Sequence, residues 1–325
     1  MSMSRPLVLV TRRLPDDWLA PLANACELVI GDDIPGMGPE LLARLAEADG
    51  IFALLTERID DAVLALAPKL RVVSNMAVGV DNIDVDACTR RRIPVGHTPG
   101  VLTEATADLA FALVLAASRR IVPAADDARS GRWTTWSPTG WLGRDLAGAT
   151  IGLLGFGKIG RAVARRALAF DMRVLVHNRS PVDDPSVRDV TWDELLARSD
   201  ILSVHVPLDR HTRGMIDASA IARMKPDALL VNTARGPIVD TDALVEALHA
   251  GRLGSAALDV TDPEPLPPDH ALYACPNALV VPHIGSATHG TRRAMAQRAT
   301  ENLLAGLAGD PLPHCVNPAV YEPPA

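Results

Sequence analysis

Aromatic side chains are scarce in this 325-residue chain, with four Phe, two Tyr and five Trp making up 3% of it. Three of the Trp are Trp133, Trp136 and Trp141, and rings this scarce gathered in one segment point to a specific job there. Cysteine is also sparse. Cys26, Cys88, Cys275 and Cys315 are scattered without CxxC or Cys/His ligand spacing, which supports neither a structural zinc nor a disulfide framework, so no metal site is expected and the thiols are expected to be buried or idle. No basic tract exceeds Arg90-Arg91-Arg92 and the net charge is −7, which argues against a nucleic-acid binder and suits an anionic membrane poorly. The longest apolar run, residues 109–117, is far short of the roughly 20 residues of a membrane span. Met1-Ser2-Met3-Ser4-Arg5 lacks the apolar core of a signal peptide, so a cytoplasmic protein is expected. What the chain does have is a globular composition, 48% hydrophobic and 22% charged, at a length that suits two domains.

Short apolar runs alternate with helical patterns along the first hundred residues. Residues 7–10, 51–55 and 72–75 read as buried parallel strands, with 40–48 and 60–67 as crossover helices. An Ala/Leu-rich helical pattern runs from Thr103, read as its cap, to Arg119 and bridges two lobes. Residues 131–149 combine Gly131, Pro138, Gly140, Gly143 and Gly148 with the three Trp and read as a long loop. The alternation then restarts. Strands at 150–154, 173–177, 201–204, 229–232, 255–259 and 279–281, separated by helical segments, predict a doubly wound sheet. Residues 288–309 form a second long helical pattern that returns the chain to the first lobe, and the proline-rich 311–325 segment is extended. The predicted fold class is α/β, with two doubly wound parallel-sheet lobes. A discontinuous flavodoxin-like substrate domain would take residues 1–101 plus 288–325, and a Rossmann dinucleotide-binding domain residues 102–287.

Gly155-Phe156-Gly157-Lys158-Ile159-Gly160 fits GxGxxG directly after a strand and before a helical run, and that context separates it from a merely structural glycine turn. Gly155 permits the tight turn, Gly157 lets backbone approach a pyrophosphate, and Gly160 lets helix pack on strand. The helix N-terminus offers free N–H groups to the anion. About 20 residues further on, an acidic side chain would bind the ribose 2′-OH and repel a 2′-phosphate. That place holds Asn178, followed by Arg179 and Ser180. Arg179 can grip a phosphate in two-pronged fashion and Ser180 can add a hydroxyl donor, so NADP(H) is favoured while NAD(H) stays open. The alternative is that Arg179 is a solvated turn residue.

Three strand ends on the C-terminal side of this sheet carry reactive side chains: Asn232-Thr233-Ala234-Arg235-Gly236, Asp259-Val260-Thr261-Asp262-Pro263-Glu264-Pro265, and Pro282-His283-Ile284-Gly285-Ser286-Ala287-Thr288. Ligands of doubly wound folds sit outside the carboxyl ends of the strands, where these segments can converge. Together with the glycine turn and Val78-Gly79-Val80-Asp81-Asn82-Ile83-Asp84, this ordered set resembles the D-isomer-specific 2-hydroxyacid dehydrogenase family over essentially the whole chain. The resemblance is strongest to the NADP-dependent glyoxylate/hydroxypyruvate reductase branch.

The resemblance implies that Arg235 binds substrate, that His283 donates the proton and that Glu264 is the carboxylate paired with it. The chemistry makes each type intelligible. A 2-keto acid presents a carboxylate beside a carbonyl, and a guanidinium fork can bind the first while polarising the second. Charge growing on the carbonyl oxygen needs a proton, which the imidazole class can give near neutral pH, and a neighbouring carboxylate favours imidazolium. By the same resemblance Val78 and Gly79 offer backbone N–H groups to the substrate carboxylate, and Thr106 and Asp259 approach the nicotinamide. Val206 and Pro207 line the adenosine-ribose side, and Thr212, Thr233, Ala234 and Gly285 join the cofactor contacts. An aromatic from the long loop, Trp141, reaches a neighbouring subunit's substrate pocket in that branch, so a homodimer is expected, while a core or interface Trp remains the alternative. Thr261 departs from the family's usual aromatic at that place, and Met76-Ala77 is an uncommon lead-in to the substrate loop. Two other readings stay open, an NAD-dependent dehydrogenase of another D-2-hydroxy acid and a dinucleotide-sensing binding protein of the corepressor kind.

Overall fold

The computed structural model describes residues 5–34 and 36–323. Met1–Ser4, on which most of the reading of the N-terminus rests, and the last two residues of the extended C-terminal segment lie outside them. The chain divides into two units, Thr103–Ala287 and the described residues of Met1–Leu102 with Thr288–Ala325.

In the discontinuous unit the chain runs β1 (Leu7–Val10), α1 (Asp16–Ala25), β2 (Glu27–Ile30), α2 (Pro39–Arg44), β3 (Gly50–Ala53), α3 (Asp61–Ala65), β4 (Val72–Asn75), α4 (Val85–Arg90) and β5 (Val95–Gly96). All five strands are parallel in the order β2-β1-β3-β4-β5, the flavodoxin order. Strands covered on both faces read as continuous apolar runs, and every residue of β1, β3 and β4 is buried. Leu41, Leu45 and Leu64 pack with Leu9, Ile51 and Val73 on one face. The helix His289–Ala308 lies on the other, where Gly50 and Gly306 let Leu303 and Val72 come close. That helix begins behind Thr288, whose hydroxyl accepts the Thr291 N–H, and stops at Gly309 with φ +88°, a conformation that favours glycine.

The second unit holds α5 (Thr103–Ser118), α6 (Ile121–Arg129), β6 (Thr150–Leu154), α7 (Lys158–Ala169), β7 (Arg173–His177), β8 (Arg188–Asp189), α8 (Trp192–Arg198), β9 (Ile201–Val204), α9 (Ala218–Arg223), β10 (Leu229–Asn232), α10 (Thr241–His249), β11 (Ser255–Leu258) and β12 (Ala278–Val280). Its seven parallel strands run β12-β11-β10-β9-β6-β7-β8. The strand order reverses between β6 and β9, which opens the crevice where doubly wound sheets take ligands. Pleating sends Ile151 and Leu153 to the face covered by α5 and α7, and Leu202 and Val204 to the face covered by α8, α9 and α10. Ala107, Ala110, Ala164 and Ala167 line the first of these faces, small side chains that let α5 and α7 pack closely.

Several elements differ from the sequence expectation. Thr103 is the first residue of α5, not a cap outside it. The helical pattern breaks at Arg120, whose left-handed φ of 51° turns the chain into α6, a helix between the segments read from the sequence. Among the described residues no helix is long and apolar enough to cross a membrane, and no cluster of three or more His, Cys, Asp or Glu is placed to hold a metal ion. The four cysteines are free, three of them buried, and burial pushes the Cys88 thiol up to about 12.

Candidate active site

The glycine turn is built for two different reasons. A Cβ on Gly160 would sit 2.3 Å from the Gly155 carbonyl, and Gly155 itself has φ +97° with the His205 backbone 2.8 Å from where a Cβ would be. Both glycines are demanded by the chain's own packing. Gly157 is not, because a Cβ there would meet no atom within 4 Å. Its openness at the N-terminus of α7 fits the approach of a pyrophosphate to unpaired helix N–H groups. Phe156 is buried in the turn, with the Arg161 guanidinium 4.4 Å from its ring centre, while Lys158 is exposed and Ile159 half-buried.

At the end of β7, Arg179 and Ser180 are exposed. Asn178 has an internal duty: its Oδ1 accepts the Phe156 N–H at 3.2 Å and its Nδ2 donates to the Ser180 carbonyl at 3.0 Å. The side chain therefore ties the ribose-side turn to the glycine turn. Across the crevice β9 is followed by His205, Val206 and Pro207, and the Val206 side chain would lie 3.0 Å from a Cβ on Gly155. The His205 ring is hydrogen-bonded to Ser203 Oγ at 2.9 Å, and burial pushes it down to about 4, so it is neutral at neutral pH. Thr212 closes the loop beyond, donating to the Pro207 carbonyl at 2.6 Å and accepting the Asp209 N–H at 2.8 Å.

Three strand ends then converge on one pair. His283 Nδ1 lies 2.6 Å from Glu264 Oε1. An ionised carboxylate can only accept a hydrogen bond, so Nδ1 carries the hydrogen, which leaves Nε2 as the reactive position. Burial works to raise the Glu264 carboxyl, but the hydrogen bond and charge of His283, the Thr261 N–H and the charge of Arg235 outweigh it and hold the group below the usual carboxylate range. Thr261 turns this loop: its hydroxyl donates to the Pro263 carbonyl at 2.8 Å and its N–H to Glu264 Oε2 at 3.3 Å.

His283 adopts φ +52°, a rare conformation for a residue with a side chain, and its N–H is held by the Asp259 and Val281 carbonyls. The Asp259 carboxylate accepts the Ile284 and Gly285 N–H groups at 2.6 and 2.8 Å and so fixes the loop that carries His283. Burial lifts the Asp259 carboxyl above its ordinary range in spite of those donors and the nearby His283. Gly285 also touches α5, since a Cβ there would lie 3.6 Å from Thr106 Oγ1. Thr106, Asp259 and Gly285 are thus brought together.

Arg235 stands at the end of β10 in a loop shaped by Asn232, whose amide donates to the Arg235 carbonyl at 2.8 Å and accepts the Ala234 N–H at 2.9 Å. One Arg235 nitrogen donates to the Ala234 carbonyl, and the Thr233 hydroxyl is buried beside it. Gly236 presses on the next loop so closely that a Cβ would fall 1.9 Å from the Thr261 carbonyl. Asn232 and Gly236 are functional in this sense, though the sequence reading gave them no role of their own. The Asn-x-x-Arg-Gly spacing is the only signal that could have found them.

The remaining assigned residues lie elsewhere. Val78 and Gly79 belong to the other unit, in the turn after β4. Trp141 lies in the long loop, where its indole N–H donates to Asp127 Oδ2 at 3.2 Å and the Arg120 guanidinium sits 4.9 Å from the ring centre. Trp133 and Trp136 are 69% and 77% exposed.

Residues 111–285 match the family model for the NAD binding domain of D-isomer specific 2-hydroxyacid dehydrogenases. The chain is 46% identical over 329 residues to a glyoxylate reductase of Aeropyrum pernix, covering 98% of both proteins. It belongs to the D-isomer specific 2-hydroxyacid dehydrogenase family. As a member it is an oxidoreductase that binds a nicotinamide dinucleotide, and the open cradle at Gly157 fits that group. Solved structures agree on the fold. A protein of Thermus thermophilus, 50% identical, superposes with TM-score 0.90 over 95% of this chain and 99% of that one. An NADPH-dependent glyoxylate/hydroxypyruvate reductase of Sinorhizobium meliloti, solved with NADP and malonate, is 32% identical with TM-score 0.87 over 99% and 100%.

Proposed function

We propose that this chain reduces small 2-keto acids, glyoxylate foremost and hydroxypyruvate with it, using NADPH in preference to NADH and giving the D-hydroxy acid where a stereocentre forms. The observation that carries the reading is the 2.6 Å bond between His283 Nδ1 and Glu264, which leaves Nε2 as a proton donor in a site that also holds Arg235. The names of the relatives support the substrate class. The carboxylate-free turn at Asn178, Arg179 and Ser180 supports the cofactor preference.

In this reading Arg235 binds the keto acid's carboxylate and polarises its carbonyl, and His283 Nε2 gives the carbonyl oxygen its proton as charge grows there. Glu264 holds the imidazole in orientation. Bound nicotinamide supplies the hydride. Lys158, Ile159 and the other residues of the 155–160 turn take the pyrophosphate, with Arg179 and Ser180 at the 2′-phosphate. Val206, Pro207 and Thr212 serve the adenosine side, while Thr106, Thr233, Ala234, Asp259 and Gly285 frame the nicotinamide. Val78 and Gly79 offer N–H groups to the substrate carboxylate, which makes the discontinuous unit the substrate domain.

The reading also includes a homodimer. Ile121, Trp133, Trp136 and Leu142 leave large apolar side chains exposed on α6 and the long loop, and a second copy would cover them. Trp141, anchored by Asp127 and Arg120, is the ring offered to the partner's substrate. Sedimentation velocity at micromolar concentration should show a dimer, and a monomer there would refute this part. For the chemistry, His283→Ala should lower kcat by about 100-fold or more while NADPH affinity, read by fluorescence titration, is kept. Arg235→Ala should raise KM for the keto acid and lower kcat together. A His283→Ala enzyme turning over near the wild-type rate would sink the proton-donor assignment.

A further inference from the structure

The turn after β4 is held from outside on three successive carbonyls. The Ala77 oxygen accepts the Thr98 N–H at 2.9 Å, the Val78 oxygen faces His97 Nδ1 at 3.0 Å, and the Gly79 oxygen accepts Asn75 Nδ2 at 2.9 Å. A carbonyl can only accept, so His97 Nδ1 carries the hydrogen. The peptide bonds here are trans, and in a planar trans peptide the N–H points opposite to the C=O that precedes it. Pinning the oxygens of residues 77, 78 and 79 therefore aims the N–H groups of Val78, Gly79 and Val80 away from the pins. Among the described residues, no hydrogen bond within the chain takes up any of these three N–H groups.

Both pinning side chains are themselves fixed. Asn75 is fully buried and also donates to Asn82 Oδ1 at 3.0 Å, and the Asn82 amide donates in turn to the carbonyls of Leu54 and Glu57. The Glu57 carboxylate is buried against Thr11, Arg12, Thr56 and the Leu54 N–H. The His97 backbone is held at both ends, its N–H by the His314 carbonyl and its carbonyl by the Asn302 amide.

We propose that His97 is a positioning residue that sets the aim of the Gly79 N–H group, and with it the enzyme's affinity for the carboxylate of its substrate. This rests on the assignment of the Val78–Gly79 turn to the substrate made above. His97 is the side chain to test, because it is only half-buried and its loss leaves the Asn75 network whole.

His97→Leu removes the donor, while His97→Asn places an amide N–H where Nδ1 stood. In the purified full-length enzyme, His97→Leu should raise KM for glyoxylate about tenfold, with KM for NADPH and Tm near wild type, and His97→Asn should recover most of the loss. An unchanged KM for glyoxylate in His97→Leu, a matching rise in KM for NADPH, or no recovery in His97→Asn would each overturn the proposal. A second readout does not depend on turnover. In a titration with oxalate followed by amide resonances, Gly79 should shift in the wild type and in His97→Asn, and should need about tenfold more oxalate in His97→Leu. If the wild type reduces no 2-keto acid, the reading of function fails, and this titration still decides on the turn. Equal titrations in all three proteins, or no shift in the wild type, would overturn it.

Discussion

At the scale of single residues, His283 is held in a strained backbone by contacts that all trace to neighbouring strand ends. Its φ of +52° would cost roughly 1 kcal/mol or more in isolation, and it persists because Asp259 grips the backbone on both sides of the ring. In the proposed mechanism Glu264 orients the ring through the 2.6 Å bond to Nδ1, so Glu264→Gln should lower kcat/KM for reduction while NADPH affinity is kept. An unchanged kcat/KM would contradict that role. At this scale the sequence was a partial guide. Among nine histidines, the neighbours of His283 singled it out, and its Nδ1 lies 2.6 Å from Glu264 Oε1. The amide of Asn178 holds Phe156 and Ser180, and the first of these contacts reaches a loop more than 20 residues away in the chain, which no local pattern reveals.

At the scale of elements, the site consists of strand ends and the turns that follow them, and glycines decide how closely those turns approach. Gly157 and Gly236 make the contrast testable. A methyl group on Gly157 meets no protein atom, so Gly157→Ala should leave Tm near wild type while weakening dinucleotide affinity. A methyl on Gly236 collides with the Thr261 carbonyl, so Gly236→Ala should lower Tm and displace the Arg235 and Glu264 loops, with kcat falling as well. Thermal melts beside NADPH titrations separate the two, and a Gly157→Ala enzyme with unchanged affinity would contradict the pyrophosphate role. Long strands and helices were legible because hydrophobic periodicity accumulates along them. Two-residue β5 and β8 carry too little pattern to read, and β2 opens with Glu27 at a half-exposed sheet edge. The break between α5 and α6 depends on the left-handed backbone of one arginine, which composition does not announce.

At the scale of the whole molecule, an acidic chain with net charge −7 recognises anions. Nicotinamide dinucleotides carry phosphates, and the proposed substrate carries a carboxylate, so recognition falls to local devices working against the overall sign. In the proposed reading these are the open glycine turn, Arg179, Arg235 and the N–H groups of the turn after β4. The two parallel sheets place these devices at the carboxyl ends of their strands, as doubly wound folds do. That much was readable from the alternation of strands and helices. The contact of His97 with the turn after β4 was not, because it forms only after folding brings β4 and β5 side by side. The measurement that bears most directly on the central claim is a kcat/KM matrix of glyoxylate, hydroxypyruvate, pyruvate and phenylpyruvate against NADPH and NADH, run for the wild type and Arg179→Ala. Glyoxylate with NADPH should head the wild-type matrix, with hydroxypyruvate close behind, and Arg179→Ala should erase most of the preference for NADPH. Turnover of none of the four acids with either nucleotide would contradict the claim.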